Sequence, residues 1–281
     1  VRPFYERAGE RLIPTALTRG PWSEALQHGG PPSALLARAC ERIASAELWH
    51  PARVTIDFLR PIPVAAPLQI DAAITRSGKQ VLGIDAELRS ILDGEPRPVA
   101  RARVLFIRRQ PLELPPQSPP ADHPRDPTPM PAIPFDFFAW QVGYHTAIEI
   151  RRESGSIGAG PAIAWLRTLH PLVADEPISP LQRVLLVADA INGVGSNLDM
   201  RRYSFVNADL TVYLHRLPDS DWIRLAAAPN PQATGVGLVH AELADTRGPI
   251  GHALESQVIA AREPAPEIAI PGLSSQARGG P

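Results

Sequence analysis

Four short stretches of this chain carry side chains whose types could do chemistry. Asp189 stands in VLLVADAI, a helical stretch apolar on almost every side. A carboxylate among such neighbours is costly to bury unless it is paired or has a task, so Asp189 reads as a paired or functional group, or else as a solvated residue near a helix end. Gln257 lies in the closing ESQVIAAR, where alignment of Arg109 with Arg262 sets it opposite Val104. A buried amide must satisfy both its oxygen and its NH2, which points to a polar task if Gln257 faces inward. In NADLTVYLHR, period-2 alternation sets Asn207, Asp209 and Thr211 on one strand face, opposite Leu210 and Val212. Asn207 at the strand's start could reach the Asp189 helix, and Asp209 fits a turn or strand-opening role. Thr211, matched by Thr55 in the other half, reads as structural and is also carried as a substrate-binding candidate. The fourth stretch, His28-Gly29-Gly30, opens a helix; its amides and the positive helix end could polarise a carbonyl oxygen, or the turn could be an ordinary helix opening. Because Pro31 and Pro32 lack amides, only Gly29, Gly30 and Ser33 could donate there.

The elements that must position these residues follow from patterning. In the first half a helix is predicted over Ser33–Leu48, then strands over Arg53–Leu59, Leu68–Arg76, Val81–Leu92 and Val99–Arg108, joined by turn-rich connections. The second half repeats the plan: a helix from Leu181 to about Ile191, then strands over Phe205–His215, Trp222–Ala228, Val236–Ala244 and Ile250–Ala261. VTIDFLR from Val54 matches LTVYLHR from Leu210, and Ala86-Glu87-Leu88 recurs as Ala241-Glu242-Leu243, which points to an internal duplication. At the strands' offset the counterpart of Asp189 is Ser33, which has no ionisable group. A helix followed by an antiparallel sheet, twice, predicts an α+β double hot-dog of two tandem helix-plus-antiparallel-sheet repeats, since one such sheet leaves an edge and a face to cover.

Proline marks the seam. The chain has 33 prolines in 281 residues, and 10 of them fall between Pro111 and Pro134. Fixed φ angles and missing donors leave that stretch an extended spacer. The predicted organisation is residues 1–110 as the first repeat, 111–134 as linker, 135–263 as the second repeat and 264–281 as a tail unable to pack.

Composition bounds the function. A net charge of −1 offers no basic field for nucleic acid or a membrane surface, and lone Cys40 forms no internal disulfide or thiolate metal site. No apolar run approaches the ~18 residues of a membrane span, and Val1 to Glu10 lacks signal-peptide character, so a cytoplasmic protein is expected. There is no GxSxG, no Walker-type loop and no metal-ligand spacing, and neither metal nor cofactor is expected.

Six features together resemble the acyl-CoA thioesterase II family of double hot-dog proteins: the helix-opening HGG at His28, FLRP at Phe58, PISPLQRVLLVAD into Asp189, NADLTVYLHR, the paired Ala-Glu-Leu segments and ESQVIAAR. The resemblance implies hydrolysis of a fatty acyl-CoA, with Asp189 as base on a water that Asn207 and Gln257 orient; His28, Gly29, Gly30 and Thr211 are the candidates for contact with the substrate. Asn207 stands where the family carries Ser or Thr, and the double proline after Gly30 is also a departure. Alternatives are a non-catalytic acyl-CoA-binding protein, motivated by those departures, and an enoyl-CoA hydratase or dehydratase, which would pair a histidine with the Asp. A homo-oligomer, a dimer of double hot-dogs, is the expected assembly.

Overall fold

The computed structural model describes residues 2–115, 126–135 and 137–262. In the first half the chain forms β1 (Tyr5–Ala8), β2 (Arg11–Pro14), α1 (Gly30–Glu41), β3 (Trp49–Phe58), β4 (Leu68–Ser77), β5 (Val81–Leu92) and β6 (Glu95–Arg108). The second half forms α2 (Tyr144–Ala147), β7 (Ile148–Ser154), β8 (Ala162–Thr168), α3 (Pro180–Ala188), α4 (Ile191–Gly195), β9 (Tyr203–Asn207), β10 (Asp209–Leu214), β11 (Ile223–Pro231), β12 (Val236–Asp245) and β13 (Gly248–Ala261). One antiparallel sheet runs in the order β1-β2-β4-β5-β6-β3-β10-β13-β12-β11-β8-β7, with β9 paired to β13. Outward from the β3–β10 seam, each side of the sheet continues through five further strands. At the seam Thr55 pairs with Thr211, and their hydroxyl oxygens lie 3.4 Å apart.

Helices α1 and α3 pack against each other on this sheet, α1 against β4, β5 and β6 and α3 against β8 and β11. Leu35, Leu36 and Ala37 of α1 and Val184 to Ala188 of α3 are fully buried. Each buried leucine or valine is worth about 1.5–3 kcal/mol. A nine-residue helix such as α3 would not stand alone in water, so its packing holds it. The helices run antiparallel: the Glu41 carboxylate, at the end of α1, accepts hydrogen bonds from Ser179 Oγ (2.8 Å) and Gln182 Nε2 (2.7 Å) at the start of α3. The end of α3 therefore meets the start of α1.

Several expectations are corrected. Helix α1 ends at Glu41 rather than Leu48; beyond it Ala44 still reaches the core, but Ile43 and Leu48 are 40% and 49% exposed. The strand expected over Phe205–His215 is two strands broken at Ala208. Strands β1, β2, β7 and β8 extend the sheet at both ends, where patterning predicts no strand. The proline-rich spacer is described over residues 111–115 and 126–134, which hold a turn and the bridge residue Ala132 but no helix or strand. The rest of it, and the tail 264–281, lie outside the described residues. Among the described residues, no helix is long and apolar enough to cross a membrane.

Candidate active site

The antiparallel helix pair brings Asp189 to the His28-Gly29-Gly30 turn. Asp189 follows the last turn of α3 and is 4% exposed. The negative end of its own helix disfavours its charge, and the positive end of α1, opened by Gly29, offsets this. Space requires glycine at position 30, and at position 29 a Cβ would displace the Asp189 carboxylate. A Cβ on Gly30 would lie 2.2 Å from the Leu186 carbonyl oxygen, and one on Gly29 would lie 2.6 Å from Asp189 Oδ1.

Side chains from three further elements complete the cluster. Asn207 Nδ2 donates to Asp189 Oδ1 at 3.1 Å. Its Oδ1 accepts from Asn192 Nδ2 at 2.9 Å and from Gln257 Nε2 at 3.4 Å. Gln257 is 7% exposed and pairs with Asn207 across β13 and β9; Gly237, its neighbour on β12, leaves room for it. On the other side, His28 Nδ1 lies 2.9 Å from Asp189 Oδ2 and 3.1 Å from the Gly30 N–H. That nitrogen can serve only one of them: protonated it donates to Asp189, bare it accepts from Gly30. The His28 ring stacks flat on Tyr144 at 3.7 Å, and Tyr144 Oη donates to the Leu186 carbonyl. Burial, then the charges of Asp189 and Glu255, push the Tyr144 pKa well up, so its hydroxyl stays a donor.

The cluster opens onto a cavity of about 490 Å3. Trp22, Phe58, Phe135, Phe137, Phe138 and Phe205 give it apolar walls, and His28, Gly29, Asp189, Asn192 and Asn207 form its polar end. A hydrogen-bonded carboxylate at the polar end of an aromatic-lined cavity is placed to take a proton from a water held against an apolar substrate.

The structure separates some residues that the sequence pattern groups. Residues Asn207 and Ala208 both stand against Gln257, since the β9 register pairs Asn207 with Gln257 while the β10 register pairs Thr211 with Leu254. This bulge reverses the alternation. Asn207 shares the inner face with buried Phe205, Leu210 and Val212, whereas Asp209 and Thr211 face the other way. Thr211 thus meets Thr55 across the seam and is not part of the cavity wall. Asp209 holds the strand break, its Oδ1 accepting the Ser256 N–H at 2.7 Å. Gly30 and Gln257 also stand off the wall. Gly30 directs its N–H at His28, and Ser33 gives its own to the Gly29 carbonyl, so among the described residues only the Gly29 N–H at this turn has no acceptor.

Two register expectations also change. Ser33, in the first turn of α1, is not the counterpart of Asp189 beyond the last turn of α3, because the helices start at Gly30 and Pro180 and do not share the strands' offset. Likewise Gln257 is not opposite Val104. Val104 lies between Val54 and Ile84; at the offsets of their strands these correspond to Leu210 and Val239, and the residue between those is Glu255. From Leu88 the first hairpin runs four residues to its last pair, whereas from Leu243 the second runs two, so the offset changes around the turn. Sequence reasoning missed Glu255 for that reason. It also missed Asn192, which lies in α4 beyond the end of the expected helix and whose signal was its place three residues after Asp189.

Residues 18–107 match the acyl-CoA thioesterase N-terminal domain, and residues 116–256 match the acyl-CoA thioesterase C-terminal domain. No curated protein matches the chain. Among solved structures, a tesB protein of Mycobacterium avium subs paratuberculosis is similar at 19% identity and TM-score 0.59, covering 91% of this chain and 95% of its own. An acyl-CoA thioesterase II, TesB2, from Mycobacterium marinum is similar at 16% identity and TM-score 0.60, covering 84% and 90%. A conserved protein with a hot dog fold from Alicyclobacillus acidocaldarius is similar at 18% identity and TM-score 0.65, covering 93% and 96%. At these identities the likeness is one of fold: the sheet wrapped about its helices is a hot-dog fold.

Proposed function

Since the chain belongs to the acyl-CoA thioesterase family and is a thioester hydrolase, we propose that it hydrolyses a fatty acyl-CoA with Asp189 as the general base. The observation that carries this reading is the Asp189 carboxylate, held by Asn207 at 3.1 Å with His28 Nδ1 2.9 Å away, at the polar end of an aromatic-lined cavity. An acyl chain would occupy the aromatic end, and its thioester carbonyl oxygen would take the free Gly29 N–H at the positive end of α1. Asp189 draws a proton from a water that attacks the carbonyl carbon. The tetrahedral intermediate then collapses, the carbon–sulfur bond breaks, and the proton passes from Asp189 to the leaving sulfur, giving a free acid and the coenzyme A thiol. A thioester is activated enough for an oriented water and one oxyanion contact. Asn207 holds the carboxylate and Gln257 acts through Asn207.

The test is thiol release from a panel of acyl-CoAs. Asp189→Asn should lower kcat by about 10²–10⁴-fold, the range for losing a general base, with the Tm unchanged; full activity in this variant refutes the assignment. The His28–Asp189 contact also favours a second reading, addition of water to an enoyl thioester. Loss of the conjugated absorbance of an enoyl-CoA without thiol release would select it. Saturable acyl-CoA binding without turnover would select a binding role.

The strand order shared by the two sides of the seam, and the pairing of Thr55 with Thr211, support a double hot-dog of two tandem copies, residues 1–110 and 135–263, joined by the spacer 111–134. Assembly as a dimer of such chains belongs to this proposal and is to be checked by sedimentation; residues 171–174 and 131–133 of the same chain cover the outer edges of β1 and β7, so a partner would meet another surface.

A further inference from the structure

Glu255 is a buried carboxyl that this scheme leaves without a task. It points inward from β13, two residues before Gln257 on the same face, and is 0% exposed. Val104, at the comparable place in the first half of the chain, is apolar and buried. A carboxyl in that place costs stability, and neither of its oxygens closes a hydrogen bond of normal geometry among the described residues.

What surrounds it is the hydrolytic cluster. Asp189 at the end of α3 and Asp209 on β10 lie within electrostatic reach, as does Tyr144 of α2, and the Asn192 backbone N–H of α4 and the Asn207 side chain of β9 face it. His28 closes the far side of Asp189. Asn207 already spends one N–H on Asp189, and its oxygen is occupied by Asn192 and Gln257. Its second N–H is the group left to meet Glu255.

We infer that Glu255 is a positioning residue of the hydrolytic site: a neutral carboxylic acid behind Asn207, whose carbonyl oxygen receives the second Asn207 N–H and so keeps the first on Asp189. The inference rests on the hydrolytic reading above. Burial first, then the charges of Asp189 and Asp209, hold the Glu255 pKa well above the ordinary carboxylate range. One amide can bridge a charged and a neutral carboxyl, whereas two buried anions on the same amide would repel each other. With the proton kept on Glu255, Asp189 is the member of the pair that carries the charge and acts as base.

The experiment compares wild type, Glu255→Gln and Glu255→Val by acyl-CoA thiol release and by the infrared band of a protonated carboxyl at neutral pH. Gln keeps a neutral acceptor; Val copies the first half of the chain and removes it. Wild type should show the band and Glu255→Gln should lack it while keeping kcat and KM. Glu255→Val should fold and keep KM but lose about tenfold in kcat, as expected when a reacting group loses its support. Wild-type kcat in Glu255→Val, equal losses in both variants, or no difference in the band overturns the proposal. If wild type releases no thiol from any acyl-CoA, the hydrolytic reading fails and the positioning role fails with it; the band then shows whether the buried proton itself is present.

Discussion

The two ends of the α1–α3 pair each hold a carboxylate, half-buried at Glu41 and buried at Asp189, and only the Asp189 end lines the cavity described above. Glu41 closes α1 against the start of α3, where Ser179 and Gln182 supply side-chain donors to its oxygens. Asp189 closes α3 against the start of α1, where the residues in the matching place are Gly29 and Gly30. At the first end side chains saturate the carboxylate and fill the crossing. At the second the missing side chains leave a free amide, a histidine that approaches from one side, and space that continues into the aromatic cavity. The helix geometry is the same; what differs is whether the facing helix start carries side chains. A site for chemistry arises here by removing donors from a crossing and leaving part of the carboxylate unsaturated.

Adding side chains back to the open end should break that difference. Gly30→Ala places a Cβ against a backbone oxygen that cannot rotate away, so the two helices must separate. The expected cost is about 3 kcal/mol, at the upper end for overpacking, read as a lower Tm with lost hydrolysis. Gly29→Ala meets only the Asp189 carboxylate, which can turn aside. Its Tm should stay near wild type while kcat falls about a hundredfold, the scale of a misplaced reacting group. Equal Tm losses in the two variants would show that the glycines serve packing alone.

Much of this arrangement is legible in the amino-acid sequence, and the limits have physical causes. The strands β3 to β6 and β10 to β13 alternate over long enough runs to be read, and Asp189, Asn207 and Gln257 stand out as polar groups in apolar settings. The meeting of Asp189 with Gly29 is not legible, because it depends on the helices crossing antiparallel, a tertiary fact with no local signature. The bulge at Ala208 reverses the faces that alternation assigns to Asn207 and Thr211, since one extra residue in a strand leaves periodicity intact on each side of it. Glu255 escapes because a hairpin shortened in both strands shifts the register twice, so no single offset aligns the two halves. The four-residue strands β1 and β2 are too short for alternation to register, and strand pairing defines them.

The closed end provides the smallest and most discriminating prediction. Burial pushes the Glu41 pKa up from its ordinary value of 4.5, and the hydrogen bonds from Gln182 and Ser179 only partly oppose this. A folded-state pKa raised above the unfolded one contributes stability that is full below the unfolded value, near pH 4.5, and is lost as pH rises through the folded value. Wild type should therefore lose this contribution on going from acid towards neutral pH, while Glu41→Gln has no such group to titrate. The difference in Tm between variant and wild type should move in favour of the variant across that window, and kcat at neutral pH should be unchanged. If Glu41→Gln instead lowers hydrolysis as Asp189→Asn does, the two crossings are not a closed one and an open one but parts of a single site. A flat Tm difference with unchanged kcat would mean that Ser179 and Gln182 compensate the burial of Glu41 fully, which sharpens the contrast with the open end, where glycine supplies no side-chain donor.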